Sequence, residues 1–227
     1  MNNQANMKPA CLPKLVGLVA SAPGAGKDTF FSNLKAKGLP VENIKFATKL
    51  EQEVYQQFQG MNPRDLDWIR NDPVAKDQPF HFLSIDNTKE GSGYHCWLLG
   101  RTLGMDDPRS VRWHLIQYGT NYVRKYLGKD YYWLDHGMKA ADQLTHTTDQ
   151  TAVITDVRFQ NEAQAIREAG GLLVFLESPW NTNANGGIAD GLIKPEECHL
   201  RILNEHGNPM GAVDNFLNFL EKGPYND

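Results

Sequence analysis

The chain has 227 residues, 41% of them hydrophobic and 22% charged, a globular composition long enough for one sizeable α/β core. A formal net charge of −4 argues against general nucleic-acid binding, and no apolar run approaches the ~20 residues that a membrane span needs. Three scattered cysteines, Cys11, Cys96 and Cys198, give no disulfide framework and suit a reducing cytoplasm.

Residues 1–13 lack both a basic start and an apolar stretch, so they read as a disordered polar tail and not a signal peptide, with Met7 as an alternative start. KLVGLVA (14–20) is a near-continuous apolar run, as in a parallel strand covered on both faces. A glycine-rich turn follows, then DTFFSNLKAKG, a helix with Phe30 and Leu34 on one face and Gly38 at its stop. NIKFAT (43–48) reads as a second strand. KLEQEVYQQF reads as an amphipathic helix with Leu50, Val54 and Phe58 at four-residue spacing, stopped by Gly60.

Residues 61–108 carry Pro63, Pro73, Pro79 and Pro108 with scattered Trp68 and Trp97, and predict short helices and loops, an insertion and not a domain. Ser110 is a natural N-cap for a helix running to Gly128, with Val111, Leu115, Tyr122 and Tyr126 inward, and Asp130 for another reaching about Leu144. Alternation then resumes: strand TAVITDV (151–157), helix NEAQAIREAGG, strand LLVFLES (172–178), short strand LRILN (200–204) and closing helix VDNFLNFLEKG. The Asn- and Gly-rich residues 179–197 predict a mobile loop where a lid could close, although Lys194 is its one cation. The whole predicts a single domain from residue 14 to 227: a doubly wound, mostly parallel five-stranded α/β sheet with a helical insertion at about 49–145. Ligands should gather at the carboxyl ends of its strands.

SAPGAGKDT (21–29) sits at a strand-to-helix junction. Gly24 and Gly26 let the backbone around Ala25 curl so that successive N–H groups face one anion, and the helix begun near Lys27 aims its positive end there. Lys27 adds an ammonium for β and γ phosphates, and Thr29 a hydroxyl near phosphate or magnesium. Asp28 either contacts a magnesium-bound water or favours the helix N-terminus by its charge. In TDVRFQNE, Asp156 ends the third strand, where a carboxylate can hold the hydration shell of magnesium, and Arg158 offers a planar fork for a phosphate. The alternative is a salt bridge between these two at a strand end; Asn161 and Glu162 equally suit capping the next helix. His95-Cys96 and Cys198-His199 lack the paired-ligand spacing of a zinc motif and read as packing residues.

The APGAGK core with Thr two places after the lysine resembles the adenylate-kinase branch of P-loop proteins, although Ser21 replaces the first glycine of the usual motif. GKDT, QYGT (117–120) with Arg124, then Trp133, then TDVRFQNE together resemble the deoxynucleoside monophosphate kinases of tailed bacteriophages; GKDT alone also resembles dephospho-coenzyme A kinases. The resemblance runs in order from Leu15 to the closing helix, omitting 61–108. It implies ATP and Mg2+, with Gly24, Ala25, Gly26, Lys27, Asp28 and Thr29 on ATP and with Thr29, Asp28 and Asp156 toward the metal through water. It implies that Arg158 and Arg124 grip the acceptor phosphate, with Phe46, Lys49, Gln117 and Thr120 near the acceptor, Arg112 as a weaker match, and Asn204 and Gly207 of the NEHG turn at the ATP base. Trp133 is more often core than ligand contact. A phosphate acceptor is already an anion, so transfer needs alignment and charge neutralisation and no dedicated base. Three readings follow: a deoxynucleoside monophosphate kinase, a kinase for another small molecule such as dephospho-coenzyme A, and a non-catalytic ATP-binding switch. The expected partners are small-molecule nucleotides, without nucleic acid or membrane; a homodimer is compatible.

Overall fold

Six successive buried residues, Leu15–Ala20, form β1, the middle strand of a five-stranded sheet. The computed structural model describes residues 12–20, 22, 24–60, 69, 72, 74–179 and 193–222. Nearly all of the expected tail, Ser21 and Pro23 of the glycine-rich loop, Trp68, and residues 180–192 of the expected lid lie outside them.

β1 is followed by α1 (Lys27–Ala36), β2 (Val41–Ile44) and α2 (Ala47–Tyr55). Then come α3 (Gly93–Leu99), α4 (Val111–Leu115), a π-helix (Ile116–Tyr126) and α5 (Tyr132–Thr147). The chain closes with β3 (Thr151–Ile154), α6 (Gln160–Glu168), β4 (Leu172–Glu177), β5 (Leu200–Leu203) and α7 (Pro209–Lys222). All strand pairs are parallel, in the order β2-β3-β1-β4-β5. This is the architecture of a P-loop NTPase-type α/β fold. Among the described residues no helix is long and apolar enough to cross a membrane.

The chain divides into two compact units, one of residues 1–46 and 137–227 and one of residues 47–136. In the first, strand alternation sends Val16 and Leu18 into a core with Phe30 and Leu34 of α1 and Val213 and Phe216 of α7. On the opposite face Gly17 is closed over by α6, where an added Cβ would lie 2.7 Å from Ile166. Helices therefore cover both faces. The link from β1 to β2 crosses β3, and the link from β3 to β4 crosses β1, so the two connections part company at the carboxyl ends of β1 and β3. A crevice opens at such a switch point.

β2 departs from expectation. It covers Val41–Ile44, and Ala47 and Thr48 already belong to α2. Its pairing with β3 ends at Ile44 opposite Ile154, so beyond that point the chain has no strand to pair with.

The second unit packs its own core from Val54, Leu83, Ile85, Tyr94, Leu98 and Trp133, among others. Ser110 caps α4 as expected, its hydroxyl accepting from the Trp113 N–H at 3.1 Å. Beyond Leu115 the winding changes to i→i+5 bonds, and with it the buried face. Tyr118 and Val123 turn inward, whereas Tyr126, expected inside at α spacing, is 66% exposed.

His114 lies fully inside this unit. Its Nε2 is 2.7 Å from the Leu83 carbonyl, which can only accept, so Nε2 carries the proton and Nδ1 accepts from the Tyr94 hydroxyl at 3.1 Å. Burial lowers its pKa from 6.5 to about 4. Between those values the unfolded chain binds the proton and the folded chain does not, so stability is full above pH 6.5 and falls as pH drops toward 4. The expected loss is about 3 kcal/mol. Urea unfolding should show this slope in the wild type and a flatter one in His114→Gln; equal slopes would contradict the assignment.

Candidate functional site

The loop after β1 is shaped by two left-handed glycines, Gly24 (φ 76°) and Gly26 (φ 89°). Gly26 is also the N-cap of α1, and its carbonyl accepts from the Phe30 N–H at 2.8 Å. Between the glycines the Ala25 carbonyl accepts two side-chain bonds, from the Ser178 hydroxyl at 2.8 Å and the Asn204 amide at 2.9 Å. Both donors are buried, just beyond the carboxyl ends of β4 and β5. A Cβ at residue 26 would sit 2.4 Å from Asn204 Nδ2, so both conformation and space require glycine there.

Lys27 opens α1 half-buried, and Thr29 is exposed in its first turn. Asp28 occupies that turn too, where its charge suits the helix N-terminus, and its carboxylate lies 3.2 Å from Lys45 Nζ. Gly207, with φ 80°, follows Asn204 in the turn before α7.

β3 lies beside β1, with Ile154 opposite Gly17, so Asp156 emerges next to the loop's own strand. One Asp156 carboxylate oxygen accepts from the Phe46 N–H at 2.9 Å. The Phe46 side chain itself is 3% exposed and packs on Gly137, where an added Cβ would come within 2.3 Å of its ring. Its ring is thus core, and its main chain orients Asp156. Arg158 is exposed at the same end. Glu162 caps α6: one of its oxygens accepts from the Arg158 and Phe159 N–H groups at 2.8 and 3.0 Å, and Asn161 Oδ1 accepts from the Glu162 N–H at 3.0 Å.

The remaining acceptor candidates belong to the other unit. Lys49 lies 3.4 Å from Glu53, whose two oxygens also accept from the Tyr132 hydroxyl at 2.6 Å and the Tyr118 hydroxyl at 3.0 Å. The bond to Glu53 pushes Tyr132 up to about 12, and burial, with Glu53, raises Tyr118. Arg112 is engaged by Asp77. Gln117 accepts from the Asn121 amide at 3.1 Å, and Thr120 and Arg124 are half-buried on the π-helix. Trp133 is buried, its indole N–H on the Gly119 carbonyl at 3.2 Å, which is the core role.

The His-Cys pairs are occupied locally. His95 Nδ1 bonds Thr88 at 2.8 Å, and His199 Nδ1 accepts from the Leu173 N–H at 2.9 Å. Among the described residues no group of three or more His, Cys, Asp or Glu is placed to hold a metal ion directly.

Sequence reasoning missed Ser178 and Glu53. Ser178 ends the apolar run LLVFLE, at the strand end where ligands were expected, and that position was its one signal. Glu53 is indistinguishable in sequence from its solvated helical neighbours.

No protein-family model matches the chain. It is similar to a protein of Acanthamoeba polyphaga mimivirus named "Putative deoxynucleotide monophosphate kinase", at 32% identity over 100 residues. That alignment takes in 40% of this chain and 48% of the relative, so the match spans about half the relative's length.

Proposed function

We propose that this chain is a nucleotide kinase that transfers the γ-phosphoryl group of ATP to the 5′-phosphate of a nucleoside monophosphate, with a deoxynucleotide as the acceptor. The observation that carries the reading is the loop at Gly24–Lys27: left-handed glycines, a carbonyl turned inward and the start of a ten-residue helix, all at the switch point of a parallel sheet. Such a loop fits a polyphosphate, because its N–H groups are held before the anion arrives.

In this reading Lys27 neutralises charge on the β and γ phosphates. Arg158 meets the acceptor phosphate from the neighbouring strand end. Asp156, held by the Phe46 N–H, is the carboxylate for magnesium through water, with Asp28 and Thr29 nearest in sequence to the loop. Magnesium held there would offset the negative charge of the phosphates. Lys49, Thr120 and Arg124 are the acceptor-side candidates of the other unit, and Glu53 fixes the Lys49 ammonium. The named relative supports the same class of reaction.

ADP release, measured across deoxynucleoside monophosphates, dephospho-coenzyme A and no acceptor, tests the reading. Turnover is expected with a deoxynucleoside monophosphate and to stop on chelation of magnesium. Turnover with dephospho-coenzyme A alone would assign another acceptor, and nucleotide binding without acceptor-dependent turnover would leave a switch.

A further inference from the structure

We infer that Ser178 and Asn204 are positioning residues for the anion-binding loop: together they turn the Ala25 carbonyl inward so that the Gly26 N–H faces outward toward a phosphate. The ligand class rests on the nucleotide reading above; the geometry does not.

A trans peptide sets its C=O and N–H antiparallel, and the chain has no cis bond among the described residues. Fixing the Ala25 carbonyl therefore fixes the direction of the Gly26 N–H. That carbonyl has two lone pairs, and the bonds of 2.8 and 2.9 Å supply a donor for each. Both donors come from side chains 7% exposed, so water competes weakly for them. The Gly26 N–H has no protein partner among the described residues, and the next residue starts α1. Asn204 also packs where a side chain on residue 26 would stand, which keeps the left-handed turn open only to glycine. The loop is thus held from the ends of β4 and β5, two strands that contribute no residue to the motif itself.

This gives Asn204 a different task from a contact with the ATP base, and the two are separable. Dissociation constants for ATP and for inorganic tripolyphosphate, which has no base, would be measured on wild type, Ser178→Ala, Asn204→Ala and the double variant, with melting temperatures. Each single variant should lose about tenfold for both ligands alike, the scale of one buried hydrogen bond. The double variant should lose more than the product of the two, since one remaining donor holds the carbonyl in part and with neither donor nothing fixes it. Should the double variant not fold, the parallel losses in the two single variants carry the test. Tripolyphosphate affinity within twofold of wild type in the folded single variants overturns the role, whether ATP affinity falls, as a base contact requires, or only the melting temperature does. Wild-type protein that binds neither ligand overturns the nucleotide reading itself, and this role with it.

Discussion

Lys27→Ala is expected to abolish phosphoryl transfer while the protein stays folded. Lys27 is the first residue of α1, half-buried and outside the hydrophobic core that Phe30 and Leu34 of the same helix supply. Truncating it leaves the strand, the glycine turn and the helix in place. On the proposed nucleotide reading, what disappears is a positive charge at the point where negative charge builds up on the β and γ phosphates. In a site with fixed dipoles and little water, removing one such group lowers turnover on the order of 10³-fold, about 4 kcal/mol. Circular dichroism and thermal melting on the same preparation show whether the fold persists. A folded variant with near-normal turnover would refute the loop assignment.

Arg158→Ala and Arg158→Lys are expected to impair use of the acceptor far more than binding of ATP. The Arg158 main-chain N–H belongs to the cap of α6 through Glu162, and both substitutions keep that bond. Its side chain is exposed at the carboxyl end of β3, two residues past Asp156. A guanidinium there can take two phosphate oxygens at once; lysine keeps the charge and loses the fork, so it restores only part of the activity. The expected loss in the alanine variant is on the order of 2–4 kcal/mol of transition-state stabilisation, roughly 30- to 1,000-fold in kcat/KM for the acceptor. A structural salt bridge with Asp156 makes the opposite forecast: a lower melting temperature with acceptor kinetics unchanged. ATP affinity, acceptor kinetics and melting temperature on the two variants separate these outcomes.

The strands were legible where burial on both faces leaves an unbroken apolar run, as in Leu15–Ala20 and Leu172–Glu177. Phe46 misled because an apolar residue beside Ile44 looks like more strand, while the limit of β2 is set by where β3 stops, far along the chain. The π-helix was illegible for a related reason. Tyr122 and Tyr126 fit an α spacing, and the winding that turns Tyr118 and Val123 inward is imposed by packing in that unit. At the candidate site, Gly24 and Gly26 were readable because the backbone geometry they permit is local. Asn204 drew notice through a motif but under a different role, and Ser178 did not, since the carbonyl that they share belongs to residue 25. Glu53 is likewise defined by Tyr118 and Tyr132, which only the fold brings to it.

The strand order also dictates when the sheet can begin to form. β1 and β2 are the first two strands made, yet they are not neighbours; each pairs with β3, and Leu15 meets Ala152. A growing chain therefore carries two strands, the first of them apolar throughout, with no sheet partner until residues near 151 emerge from the ribosome. The intervening residues 47–136 form a compact unit of their own and can collapse first. Their collapse shortens the loop whose closure entropy opposes the pairing of β1 with β3. Nascent chains stopped before β3 should then be the stage most in need of a chaperone, with Leu15–Ala20 as the segment that it shields.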